Sequence, residues 1–232
     1  MAQRVLRWGA GVAAVFVLCS ALAVLAVRWI NPPVTPLMIT ELFRGVLHGR
    51  WVGIDQRSVP LDRISPALLR AVIAAEDAHF FTHWGVDVPA LRKAQAWNRR
   101  HADEGRVRGA STITMQCARN VYLWQARTYV RKALEIWFAG LMEALWSKRR
   151  ILEVYLNVIE WGPGIYGAQA AAQRYFRVPA DRLDARQAAL LAAALPDPRA
   201  RNPGAPTRAL DARASRIARR AATVRLRAIA VR

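Results

Sequence analysis

The sequence predicts a mostly α-helical protein carrying one helix that crosses a membrane. Three observations carry this reading. Trp8 to Val27, "WGAGVAAVFVLCSALAVLAV", runs without a charge. In the rest of the chain, apolar residues recur at three- and four-residue steps, and no stretch alternates as a half-buried strand would. Proline and glycine gather at a few breakpoints, chiefly "NPPVTP" and "PDPRARNPGAP".

The uncharged run comes first. Twenty apolar residues at about 1.5 Å each span the roughly 30 Å hydrocarbon core of a bilayer. Arg4, Arg7 and the amino terminus favour a cytoplasmic start, with Arg28 weakly opposed. A cleaved signal peptide is the alternative, with Ala21-Leu22-Ala23 as its site. The run exceeds the roughly 7–15 residues usual for such a segment, which favours an anchor. Residues 1–30 are thus read as stub and anchor, and residues 31–44, opening on the stiff "NPPVTP", as a linker. The body, residues 45–206, lies outside the cytoplasm on either reading.

Residues 37 to 60 hold a short helix and then an extended lead-in, "GRWVGIDQRSVPL". A helix over 66–80 follows, with Ser65 as N-cap and Pro66 at its first position. Another helix leads to a polar loop around 102–110, and a further one starts at Ser111 or Thr112. The stretch from Ala133 to Trp146 is apolar nearly all round except for Glu135 and Glu143, as in a core helix or one partly in lipid. "RRILEVYLNVIEWG" is the next helix and "WGPGIYG" a turn. "AQAAAQRYF" and "DARQAALLAAAL" are two Ala-rich helices. Residues 207–232 form a basic helix with Arg213, Arg216, Arg219 and Arg220.

Net charge is +19, from 32 Arg and 3 Lys against 16 acids. A chain this basic outside the cytoplasm meets anionic lipid head groups or a phosphorylated substrate. No nucleic-acid-binding motif accompanies the charge, so nucleic acid is not an expected partner. Cys19 sits in the anchor and Cys117 in the body, too few for a zinc cluster. The four His form no H-E-x-x-H pattern; His79 and His83 are read as ring packing before metal ligands.

Three features converge on chemistry. In "AVIAAEDAHFFTHWG" the stripe of Leu69, Val72 and Ile73 continues into Glu76 and Phe80. Glu76 therefore faces a core or cleft, where a carboxylate is paired, hydrogen-bonded or raised in pKa. A structural Glu bonded to Arg or to a backbone amide is an equal reading of the helix alone. "RGASTITMQCARN" places Ser111, Thr112, Thr114 and Gln116 behind Gly109, suited to an anion or a sugar or simply to capping. Arg119, Arg127, Arg131 and Lys132 form a basic series closed by Glu135. The plain alternative for Arg131 and Glu135 is a surface ion pair worth little.

"EDAHFFTHWG", "GASTITMQCARN", "RKALE", "KRRILEVYLN" and "WGPGIYGAQAAAQRYF" stand in this order. Together they resemble the five conserved blocks of the peptidoglycan glycosyltransferase family, the glycosyltransferase half of bifunctional penicillin-binding proteins. Without a transpeptidase block behind them, the chain is similar to the monofunctional branch. The match covers about Gly45 to Pro206. Met115 departs from it where a Gln is usual, and Arg119 where a Lys is usual.

The resemblance implies a lysozyme-like helical glycosyltransferase domain at the outer face of the inner membrane, in the periplasm. It implies polymerisation of lipid II with inversion and release of undecaprenyl pyrophosphate. Glu76 would be the general base on the acceptor 4-hydroxyl, more basic than a free Glu near about 4.3. Glu135 would stand near the donor pyrophosphate, orienting Arg or Lys; holding a divalent cation is the second role open to it. Arg119, Arg127, Arg131 and Lys132 would neutralise the leaving group. Asp77, Ser111, Thr112, Thr114 and Gln116 would bind substrate. Lys148, Glu153 and Asn157 match the fourth block, read mainly as scaffold. Expected partners are lipid II, the growing glycan, membrane lipid and other cell-wall synthesis or division proteins.

Two other classes stay open on the residues themselves. A lytic, glycan-cleaving enzyme would also place one Glu on a helix, yet needs no cation series for pyrophosphate. A non-enzymatic membrane-anchored scaffold would tolerate the loss of Glu76.

Overall fold

The computed structural model describes residues 1–49, 53–105, 107–126 and 128–226. Ten helices and three very short strands make up these residues. The anchor is helix α1 (Ala2–Val27), whose stretch Leu6–Val27 is long and apolar enough to cross a membrane. Helix α2 (Pro36–Leu47) follows, with Thr35 as its cap accepting from the Met38 amide. It buries Leu37 and Met38 against Tyr166 and leaves Ile39, Phe43 and Leu47 exposed.

Helix α3 (Pro66–Glu76) starts as its sequence predicts. The Ser65 hydroxyl accepts from the Ala67 amide and donates to the Leu183 carbonyl at 2.7 Å. It stops earlier than the expected residue 80. Asp77 leaves the helical conformation because its carboxylate takes partners outside the helix, the Ile113 amide and His83. Helix α4 (Val88–Arg100) is capped by Asp87, and α5 (Ile113–Tyr122) by Thr112. Then come α6 (Tyr129–Leu145), α7 (Lys148–Val158), α8 (Ala168–Phe176), α9 (Ala185–Ala194) and α10 (Arg208–Ala221).

The strands are β1 (Asp55–Gln56), β2 (Glu160–Gly162) and β3 (Ile165–Tyr166), in the order β1-β3-β2. β1 pairs parallel with β3, and β2 antiparallel with it. Two or three residues cannot display an alternating pattern, so the sequence carries no strand signal here. Gly167 closes the turn with φ +86, where a Cβ would crowd the carbonyl oxygens of Asn157 and Arg57. The Asn157 side chain, fully buried, clamps the lead-in by exchanging hydrogen bonds with Val59 N and O.

The packing has two halves in one continuous core. α3 lies against α9 and α10; α5 lies against α6 and α7. The basic C-terminal helix is part of the first half. Leu210, Ala214, Ile217 and Ala221 are buried at helical spacing, and arginines occupy the other face. The two halves meet where the C-terminus of α3 reaches α5.

α1 docks on α6. Trp137 Nε1 donates to Ser20 Oγ at 3.1 Å, Trp146 Nε1 to the Val24 carbonyl at 2.9 Å, and Arg150 to the Val27 carbonyl. Helix α6 is therefore divided by face. Ala139 and Met142 are fully buried, Phe138 stacks on Tyr122 at 4.7 Å, and Ile136 and Trp137 are exposed. Phe138 and Met142 thus turn towards the body, whereas Trp137 lies against α1.

Candidate active site

Glu76 is the last residue of α3 and stands half-buried at the junction of the two halves. The stripe of Leu69, Val72 and Ile73 is buried beneath it, as its spacing predicts. Gln116 Nε2 donates to Glu76 Oε2 at 2.9 Å, and the Tyr155 hydroxyl donates to Gln116 Oε1 at 3.1 Å. Tyr155 is buried, so this short relay fixes which way the Gln116 amide points. Burial pushes the Glu76 carboxyl above the ordinary range, with Asp77 adding a little. The Gln116 bond, Arg213 and Arg119 pull the other way. The outcome is a carboxylate more basic than usual but held by cations.

Arg213 projects from α10, outside the matched blocks, and was not anticipated. Its Nε is buried without a hydrogen-bond partner, and burial lowers its pKa. A signal existed: it lies four residues before Ile217 and three after Leu210, on the edge of the buried stripe.

Three residues beyond Gln116, on the same face of α5, Arg119 reaches the second cluster. Glu135 is its centre, almost completely buried on α6. Arg131 pairs with Glu135 Oε1, Lys132 Nζ lies 2.9 Å from Oε2, and Arg119 Nε is 4.0 Å from Oε1. Lys132 also donates to Ser111 Oγ at 3.0 Å. One buried carboxylate thus gathers three cations and leaves a surplus of positive charge. Gln116 and Arg119 also line a cavity of about 200 Å³ with Asn120, Gln125 and Tyr155. Arg127, the remaining cation of the series, lies outside the described residues.

The other candidates sit deeper. Asp77 is buried; its Oδ2 accepts from the Ile113 amide at 3.0 Å and lies 2.9 Å from His83 Nε2. It satisfies a free N–H of α5 and complements that helix's dipole. Thr112 accepts from the Met115 amide and donates to the Gly85 carbonyl. Thr114 is fully buried and donates to Glu143, which is paired with Lys148 at 2.7 Å. These three side chains thus make internal contacts that hold α5 in place, whereas Gln116 and Arg119 line the small cavity and Ser111 accepts from Lys132. Met115 is buried in the core, so its departure from the family pattern does not touch the cleft.

Phe80 is fully buried, with Lys148 Nζ 4.7 Å from its centroid, and Trp84 is largely exposed. His79 and His83 each pair with a carboxylate, Asp87 and Asp77. Among the described residues no group of three or more His, Cys, Asp and Glu is placed to hold a metal ion.

Residues 45–222 match the family model described as transglycosylase. The chain is 49% identical over 225 residues to the biosynthetic peptidoglycan transglycosylase of Rhodospirillum centenum, covering 97% of this chain and 94% of that one. It is 55% identical over 177 residues to the like-named protein of Caulobacter vibrioides, covering 76% and 73%. With that of Pseudomonas entomophila it shares 50% over 179 residues, 77% and 75% of the two chains.

Proposed function

The chain belongs to the transglycosylase family and is a peptidoglycan glycosyltransferase, and from that premise we propose that Glu76 is its catalytic base and the Glu135 cluster its leaving-group site. The substrates are lipid II as acceptor and the growing glycan as donor. The acceptor 4-hydroxyl attacks the donor anomeric carbon, with inversion. The C–O bond to pyrophosphate breaks as the new glycosidic bond forms. The hydroxyl proton passes to Glu76.

One observation carries the reading: α5 joins the two sites within a single turn. Gln116 holds the Glu76 carboxylate, and Arg119 belongs to the cation cluster. Gln116 and Arg119, the side chains that reach the two sites, are therefore about 5 Å apart along one rigid element. Glu76 needs to be basic enough to accept a proton yet ionised at working pH, and burial opposed by Arg213 and Arg119 supports both. Arg131 and Lys132 are aimed by Glu135 before substrate arrives, so stabilising the departing pyrophosphate requires little reorganisation. Arg127 joins this group by resemblance. Ser111, fixed by Lys132, is placed to contact a sugar or phosphate oxygen. Asp77, Thr112 and Thr114 act on substrate indirectly, through the position of α5.

In this reading α1 anchors the enzyme in the membrane that carries its lipid-linked substrate and the body lies in the periplasm, an orientation supported by Arg4 and Arg7 before the apolar run. The deciding experiment is polymerisation of labelled lipid II by the pure protein, alongside its Glu76→Gln variant. Polymer from the wild type and almost none from the variant is expected. Equal polymer from both would remove Glu76 from the base position.

A further inference from the structure

A second cavity, of about 840 Å³, opens beside the cleft. Its walls are residues 53–55, the turn between β2 and β3, the end of α8 and the loop of residues 198–205. Pro198 lines both this cavity and the one holding Gln116 and Arg119. Arg174, Arg177 and Arg201 line it, none with a carboxylate partner among the described residues; Arg201 donates to the Ala193 carbonyl, and the acid in the lining, Asp55, pairs with Arg57. A fourth arginine, Arg199, is already neutralised by Glu41 and Glu160.

Two features show that the cavity is built rather than incidental. Arg177 holds φ 58, at the end of α8 where glycine is usual. A side chain there is strained, so the cation is kept against the local backbone preference. Gly162 and Gly204 leave room for Tyr175: a Cβ at Gly162 would collide with its hydroxyl, and one at Gly204 would press on its backbone.

The substrate of a peptidoglycan glycosyltransferase has three chemical parts: sugars, pyrophosphate and a peptide. The first two are provided for at Glu76 and the Glu135 cluster. The peptide ends in a carboxylate, a third group that calls for cations of its own. We propose that the Arg174–Arg177–Arg201 cavity receives this carboxylate-bearing peptide branch. The proposal rests on the glycosyltransferase reading above. A lipid head group is the less favoured ligand, because the cavity adjoins the cleft and is not lined by α1 or α6.

The test uses the full-length double variant Arg174→Gln/Arg177→Gly. Glycine suits the positive φ, so the melting temperature should hold or rise. Two substrates are compared: lipid II with its peptide, and a synthetic lipid-pyrophosphate disaccharide without one. Loss of two exposed ion pairs should raise KM for the peptide-bearing substrate about three- to tenfold. KM for the peptide-free substrate and kcat for both should be unchanged. An equal change on both substrates, or no change on either, overturns the proposal. Weaker binding to phosphatidylglycerol vesicles with unaltered KM also overturns it, in favour of a head-group site. Wild-type protein inactive on both substrates would overturn the glycosyltransferase reading, and the peptide site with it. Intact polymerisation without the KM split overturns the peptide site alone.

Discussion

Glu76 combines two opposed influences, and each has a measurable consequence. Replacing it by Gln keeps the shape and a bond to Gln116 but removes the proton acceptor, so turnover should fall on the order of 10²–10⁴-fold. Lipid II binding, measured by equilibrium titration, should change little. The folded carboxyl is raised above its unfolded value, so the folded state binds more protons in the window between the two. Stability should therefore fall as pH rises through that window, and at neutral pH Glu76→Gln should melt higher than the wild type. For the same reason the acid limb of the kcat profile should lie above the ordinary Glu range. A limb at or below that range would mean the carboxylate is not held basic. In the second cluster, Lys132→Ala removes one preorganised donor and should cost roughly 2–4 kcal/mol of transition-state stabilisation. Arg219→Ala, on the basic side of α10, is the control; a loss no larger at Lys132 would reduce it to a surface charge.

At the scale of elements, α6 serves two environments at once. Its inner side carries Ala139 and Met142 in the core, and its outer side meets α1 through Trp137. Met142→Ala should therefore cost about 2–5 kcal/mol of stability, read by denaturant unfolding in detergent. Ile136→Ser, on an exposed position, should leave stability within about 0.5 kcal/mol of wild type. Similar losses at both positions would contradict the division of faces. The Ser65 cap was legible beforehand, and of the two candidate starts Ser111 and Thr112 it is Thr112 that caps α5. The early end of α3 was not, because Asp77 is drawn out of the helix by Ile113, 36 residues away.

Across the whole molecule, Arg199 ties the membrane-proximal α2 to the small sheet. It binds Glu160 with two bonds, at 2.9 and 3.0 Å, and reaches Glu41 at 2.6 Å. Both carboxylates are largely buried. Arg199→Ala would leave Glu160 without its cation beside Glu41, which keeps only Arg44, and about 3–5 kcal/mol of stability should be lost at neutral pH. The loss should shrink on acidification, because protonation then removes the uncompensated charge. Burial already raises the Glu160 carboxyl with Arg199 present, and losing that cation raises it further. Thermal melts of both proteins across the acid range would reveal this; a constant difference at every pH would argue against an electrostatic clamp.

The sequence by itself determined the anchor, the helical class, the order of the five blocks and the carboxylate at the end of the α3 stripe. These depend on local features: an unbroken apolar run, helical periodicity, caps and motif order. Only the tertiary structure decided which polar side chains are taken up by internal contacts. Thr112, Thr114 and Asp77 look as suited to substrate as Ser111 and Gln116, yet their partners are Gly85, Glu143 and Ile113. Arg213 joins Glu76 from a helix that charge alone marks as a separate basic tail. Phe80 turns into the core while Trp84 stays outside it. In each case the deciding contact lies many residues away in the chain. Periodicity says which face of an element is buried; what lies opposite that face is fixed only when the elements pack.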